Sequence, residues 1–592
     1  MIDTQPSGSS TPNFTPEFQQ ILESIQNNTA TEINLRPENL GVAGAIALAN
    51  ALRFNTTLTK LDLPHNNIGP VGAKFLAEVL TENKTLAHLN LFNNNAGFDG
   101  ATELAKALRV NTTLKKLNLG YNEIGPNGAT ELAEALRVNQ NLTNLDLWGN
   151  RIGPDGTIAL AGVLKDNKAL TELYLSAEEI GPNGAIALAE ALKVNVTLTK
   201  LDLSNNNIGP NGAIALAEAL SKNETLKEFN LLNNNIGPKG AQAFAGVLRV
   251  NTSLTGLALC NNNIGPNGAQ ALAEELGVNT TLTELDLSGN KIGDDGAREL
   301  AGALRVNTTL KELDLSENNI GPNGAQAFAG ALRVNTTLKE LDLSYNKIRP
   351  DGAQALAEAL SENFTLLKLR MSPSINEESQ TLISAYLARN NEINEIATKI
   401  FDYYYPKGDS TTYTQDPTTP PFPRLNDNLI KEPQIRLKIF EKSLSKIIDF
   451  KKTNGQEVNE EQIREEFIEH LKSSRGGMRF LFSCKEESNL FGLTLEDYFW
   501  VTGVTKYKGG NGENEKNETR DHLFRDPDLF SKMQQSLLPH LLKNSSTEAP
   551  STNPSSPGAQ VGSGNPSSPR ANPMGFNLLS LIDERGWGCK IS

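Results

Sequence analysis

Few side chains in this sequence are equipped for chemistry. The 592 residues include three cysteines, Cys260, Cys484 and Cys589, and five scattered histidines. Cys484 and His470 could be paired as thiol nucleophile and base, but no motif surrounds either one, and a small buried thiol is the simpler reading. The run "KGGNGENEKNE" at 508–518 has the glycines of a phosphate loop but neither its Lys-Ser/Thr ending nor an apolar strand before it, so it reads as a surface loop. No CxxC pair or His/Cys cluster stands at metal-ligand spacing, so no catalytic residue, metal or cofactor is expected. Cys589 differs, because the closing "CKIS" fits the C-a-a-X box that directs alkylation of the cysteine by a prenyltransferase. Ile591 is its aliphatic member and Ser592 points to farnesyl, whereas Lys590 departs from aliphatic character.

What positions any functional surface is a repeat. The strand leucine at Leu201 recurs at Ile33, Leu61, Leu89, Leu117, Leu145, Leu173, Phe229, Leu257, Leu285, Leu313, Leu341 and Leu369, every step being 28 residues. In "LDLS" the alternation of a strand turns Leu201 and Leu203 inward and Lys200, Asp202 and Ser204 outward. Asn206 follows, an amide able to donate to and accept from backbone groups exposed at the strand end. It recurs from Asn66 to Asn346 except at Glu178, where a carboxylate without a donor predicts local irregularity. "GPNGA" then starts a helix whose Ala213, Leu216, Ala217 and Leu220 form one apolar stripe. The "NTT" triplets that close many units match a glycosylation acceptor but read as turn residues.

Thirteen registered copies of LxxLxLxxNxI followed by GAxALAEAL resemble the ribonuclease-inhibitor type of leucine-rich repeat. The resemblance implies an α/β horseshoe, a leucine-rich repeat solenoid of 28-residue units with strands on the concave side and helices outside. Its ends look capped, with Thr15 and Pro16 opening an N-terminal helix and "NEESQTLISAYLARN" keeping a helical pattern without the consensus.

Binding in such a scaffold falls to the outward strand positions. Phe92, Tyr121, Trp148 and Tyr174 bring large rings to neighbouring repeats, as interface anchors do. Glu284, Asp286, Glu312, Asp314, Glu340 and Asp342 line later strands with like charges that a basic partner surface would relieve, although Asp is also the ordinary filler of this repeat. Arg53, Arg109, Arg137, Lys165, Lys193, Arg249, Arg305 and Arg333 fall at helix C-terminal turns, where cations complement the helix dipole.

The net charge of −14 disfavours nucleic acid as a partner. The first residues carry no secretory signal pattern, and no apolar run is long enough to span a membrane. The predicted organisation is a disordered start (1–14), a capping helix (15–30), the solenoid (31–371), capping helices (372–404) and a Pro/Thr/Asp linker (405–428). A smaller, mostly α-helical domain (429–543), a disordered tether (544–573) and an apolar tail with the prenylation box (574–592) follow.

Regular repeats, a low-complexity tether and a lipid box together resemble effectors that intracellular bacteria inject into host cells. That resemblance implies a host protein on the concave face, modification by a host prenyltransferase, and a place in host cytoplasm, partly at the cytoplasmic face of a membrane. A eukaryotic signalling scaffold, or an enzyme with its catalysis in 429–543 and the repeats selecting substrate, are the alternatives.

Overall fold

The computed structural model describes residues 14–35, 39–372, 375–404, 433–456 and 458–472. These fall in two compact units, the first ending at Leu387 and the second beginning at Ala388.

The first unit is a single sheet of 13 parallel strands in sequence order, from β1 (Glu32–Asn34) to β13 (Lys368–Met371). Leu201 pairs with Leu173 on one side and Phe229 on the other, so the predicted register holds. Between strands, helices such as Gly209–Leu220 return the chain, and their Ala213, Leu216, Ala217 and Leu220 are buried against the strand leucines. Gly212 permits the close helix spacing, because a Cβ there would lie 2.9 Å from the Cβ of Ala185 in the preceding helix. Strands lie about 4.8 Å apart and packed helices about 8–10 Å apart, so the array bends with its strands on the inside.

At the N-terminus Thr15 Oγ1 accepts from the Phe18 amide at 3.2 Å, capping the helix Pro16–Gln26 as its sequence predicts. After the last strand comes the helix Glu377–Tyr404, whose first turns set Ile383, Tyr386 and Leu387 against the solenoid core.

In the second unit Ile393, Ile396, Ala397 and Ile400 form a buried stripe at helical spacing. The helices Pro433–Thr453 and Glu460–Lys472 meet through Phe440 and Phe467, whose ring centroids are 5.2 Å apart. Cys484, the 508–518 loop, Cys589 and the apolar tail lie outside the described residues.

Asparagine amides join one repeat to the next at both ends of the strand. At the strand end, Asn206 Oδ1 accepts the amides of Glu178 (2.8 Å) and Ile180 (3.3 Å). Its Nδ2 donates to the carbonyls of Leu175, Leu203 and Ser204. A second ladder precedes the strand. Asn223 Nδ2 donates to Leu192 O (2.9 Å) and Asn195 O (3.1 Å), while its Oδ1 accepts the amides of Thr225 and Leu226. This ladder runs from Asn55 to Asn363, and all its members except Asn139 and Asn167 also match the glycosylation pattern. Their amide nitrogens are buried and already donating, so in the folded chain they are structural.

At Glu178 the irregularity is confined to half of the site. The side chain is fully buried, and its two oxygens accept the amides of Asn150 (2.8 Å) and Ile152 (2.9 Å), as an asparagine oxygen would. Only the donor is lost. Burial pushes the carboxyl up to about 8, against the pull of those two amides. A folded pKa above the ordinary 4.5 means that the contribution is fully present below about pH 4.5 and is lost as pH rises through about 8. Thermal melts from pH 5 to 9 should therefore show Glu178→Gln gaining on the wild type as pH rises; parallel curves would contradict this. Asn206→Ala, which strands several buried backbone groups, should cost on the order of 3 kcal/mol in urea unfolding at every pH.

Candidate functional site

The inner face is a set of columns, one for each outward register position. Its first column contains Lys60, His88 and Lys116 on β2 (Lys60–Asp62), β3 (His88–Asn90) and β4 (Lys116–Asn118). On β10 (Glu284–Asp286), β11 (Glu312–Asp314) and β12 (Glu340–Leu343) the same position holds Glu284, Glu312 and Glu340. Two residues further, the column is mostly Asp or Asn, and after that come Phe92, Gly120, Trp148 and then, Leu232 apart, small residues.

Alternation predicts that the small residues face outward, exposed. Several are not: Ser176, Ser204, Cys260 and Ser288 are buried. On the inside of the bend a short side chain is covered by its neighbours. Ser204 Oγ lies 2.6 Å from Ser176 Oγ and 2.7 Å from Asp202 Oδ1. These positions cannot be contact residues without rearrangement.

The acidic column also has internal work. Asp286, Asp314 and Asp342 each accept the amide two residues on, from Ser288 (2.9 Å), Ser316 (2.8 Å) and Ser344 (2.8 Å). Each carboxylate therefore closes the turn that ends its strand, which is why Asp fills this position so often. Beyond β12, Lys368 reaches Glu340 at 2.9 Å and Arg370 reaches Asp342 at 3.0 Å. Asp314 sits between two carboxylates, and burial, then Asp286, pushes it up to about 7. Glu284 is exposed, while Glu312 and Glu340 are half-buried.

Three of the four sequence-predicted aromatics converge. Ring centroids lie 5.5 Å apart for Phe92 and Tyr121, 5.0 Å for Tyr121 and Trp148, and 5.8 Å for Phe92 and Trp148. His65 joins them at 5.2 Å from Phe92. Tyr121 and Trp148 remain 44% and 36% exposed, so the cluster presents ring surface to solvent. Gly149 makes room for it, since a Cβ there would stand 3.1 Å from the Tyr121 ring. Tyr174 is held elsewhere. Its hydroxyl donates to Glu172 at 3.0 Å, and Lys200 Nζ stands 5.7 Å from its ring centroid.

His65 and the Lys60–His88–Lys116 column escaped the sequence reading, though stacking the repeats in register would have revealed both. The helix-end cations take structural roles. Arg53, Arg109, Lys165, Lys193, Arg305 and Arg333 are helix C-caps, and Arg109 and Arg137 pair with Glu131 and Glu134. Among the described residues no His, Cys, Asp and Glu group could hold a metal ion, and no helix is long and apolar enough to cross a membrane.

The Leucine Rich repeat family matches nine segments, each 24 residues, from 54–77 to 334–357. This chain is a leucine-rich repeat protein. No curated protein matches its sequence. Among solved structures it is similar to the tropomodulin C-terminal domain of Caenorhabditis elegans, at 20% identity over 26% of this chain and 93% of that one, with a TM-score of 0.24. LegL7, a leucine-rich repeat-containing protein of Legionella pneumophila, gives 20% identity over 48% of this chain and 94% of its own, with a TM-score of 0.34. A complex of TLR13 with ssRNA13 gives 22% identity over 56% and 41%, with a TM-score of 0.36.

The acidic column of this leucine-rich repeat protein makes a second pH prediction. With its folded pKa raised from 3.8 to about 7, Asp314 contributes fully below about pH 4 and loses that contribution as pH rises through about 7. Asp314→Asn retains an oxygen for the Ser316 amide and sheds the charge. It should raise the melting temperature by a few degrees at pH 8 and leave it unchanged at pH 4. A loss at pH 8 would mean that the charge stabilises the turn.

Proposed function

We propose that this leucine-rich repeat protein is a recognition protein without catalytic activity of its own, and that its solenoid holds a protein partner on the inner face of the sheet. The observation that carries the reading is the Phe92–Tyr121–Trp148 cluster, with rings 5.0–5.8 Å apart and partly open to solvent. Large rigid rings clustered on one surface are what binding energy concentrates on. The repeat frame does not need them, because other units fill the positions of Phe92 and Trp148 with serine and that of Tyr121 mostly with asparagine or glycine.

In this reading Cys589 is farnesylated and the bound partner is brought to a membrane. One isoprenoid anchors weakly, and Phe576, Leu578, Leu579, Leu581 and Ile582 supply a second apolar contact. The near-identical repeats, of which "IGPNGAQALAEELGVNTTL" is typical, support a bacterial effector that acts in host cytoplasm.

Two experiments test this. Capture from host-cell lysate should fall at least about tenfold with Tyr121→Ala and Trp148→Ala together, with an unchanged circular dichroism spectrum. Undiminished capture would move the interface away from the rings. In eukaryotic cells the wild-type chain should partition partly with membranes and Cys589→Ser should not. An unmodified C-terminal peptide still ending at Ser592, detected by mass spectrometry, would remove the lipid from the reading.

A further inference from the structure

The charges of the first column are segregated along the solenoid. On β2 to β4 the position holds Lys60, His88 and Lys116, and on β10 to β12 it holds three glutamates. Side chains in one column are about 4.8 Å apart, where like charges repel, so the fold gains nothing from the sorting. Between the two ends the column balances itself. Asn144 donates to Glu172 at 2.6 Å and Lys200 pairs with Glu228 at 2.9 Å. At the basic end Lys60 and His88 share the carboxylate of Asp62, at 3.2 and 3.7 Å, Glu32 stands beside Lys60 in the register, and Lys116 is exposed.

The basic column and the ring cluster occupy the same few repeats. His88 and Phe92 belong to one strand and its end, and Lys116 and Tyr121 to the next. Four residues of chain separate His88 from Phe92, at most about 13 Å at the extended rise, a span that four residues of an extended peptide cover. The geometry points to an acidic peptide segment with an apolar anchor as the occupant of this quadrant, its anchor on Phe92, Tyr121 and Trp148 and its carboxylates against Lys60, His88 and Lys116. The inference rests on the inner face being the recognition surface and adds the chemistry of what is recognised. The occupant is defined by complementarity. Rings take an apolar side chain, and three basic groups in a chain of net charge −14 form a local exception that attracts anions.

His88 adds a pH handle. Burial, the largest influence, and the cations Lys60 and Lys116 lower its pKa, opposed by Asp62 and Glu32. An anionic ligand should therefore bind more tightly as pH falls and His88 becomes charged.

The test is fluorescence anisotropy on the full chain with three labelled peptides. One has glutamates around a central Phe-Leu pair, the second replaces the glutamates with lysines, and the third replaces the pair with glycines. The anchored acidic peptide should bind at least ~10-fold more tightly than either of the others, and should weaken as salt rises. Lys60→Glu with Lys116→Glu should cost at least ~10-fold, Trp148→Ala about as much, and His88→Gln should flatten the gain as pH falls from neutrality through and below the ordinary histidine value of about 6.5. Circular dichroism confirms that the variants are folded. Failure of the acidic peptide to bind, or indifference to the charge reversal, overturns the inference. Preferential binding of the lysine peptide, weakened by Glu312→Lys, would also overturn it while leaving recognition on the inner face intact at the acidic end.

Discussion

The structure depends on buried asparagine amides that hydrogen-bond between repeats. A parallel strand of three residues pairs with its neighbours through very few bonds, and the chain must turn sharply at both ends of it. Backbone groups exposed by those turns would be costly to bury unpaired. One amide before the strand and, Glu178 apart, one after it supply both donors and an acceptor at that point, and they reach carbonyls of the preceding unit. Each unit is thereby tied to its neighbour at a fixed offset, which is why the period admits no insertion over thirteen strands.

That constraint explains where the surface is free and where it is not. Differential spacing of strands and helices curves the array, and curvature crowds the inner face. The serines and Cys260, outward by alternation, are buried by it. The aspartates of "LDLS" are held to the turn that ends each strand, for example Asp202 Oδ1 by the Ser204 amide at 2.8 Å. Long side chains alone project beyond this layer, so the lysines, glutamates and aromatic rings carry what the face displays.

Burying acids in such a layer couples stability to pH. Glu178 and Asp314 lie on different ladders, yet both are pushed up because water is excluded from them. Each destabilises the array as it ionises, so the contribution of these two acids falls as pH rises through about 7 to 8. Lowering pH also charges His88 on the inner face, which favours an anion there while its lowered pKa makes that protonation a cost to the fold.

The sequence by itself determined the period, the thirteen strands, their register, the inward leucines and the helix stripes, because each follows from the recurrence of residue types at fixed spacing. Thr15 as a cap and Asn206 as a turn residue were legible for the same reason: their chemistry acts within a few residues. Tertiary structure decided everything that depends on neighbours 28 residues away. It made the asparagines of the "NTT" triplets a second ladder, buried Ser204, gave Glu178 the acceptor role of an amide, and separated Tyr174 from the rings of Phe92, Tyr121 and Trp148. Local pattern states which way a side chain leaves the backbone. Only the stacking and curvature of successive units state what it meets there, because contact across repeats is a property of three-dimensional spacing and not of order along the chain.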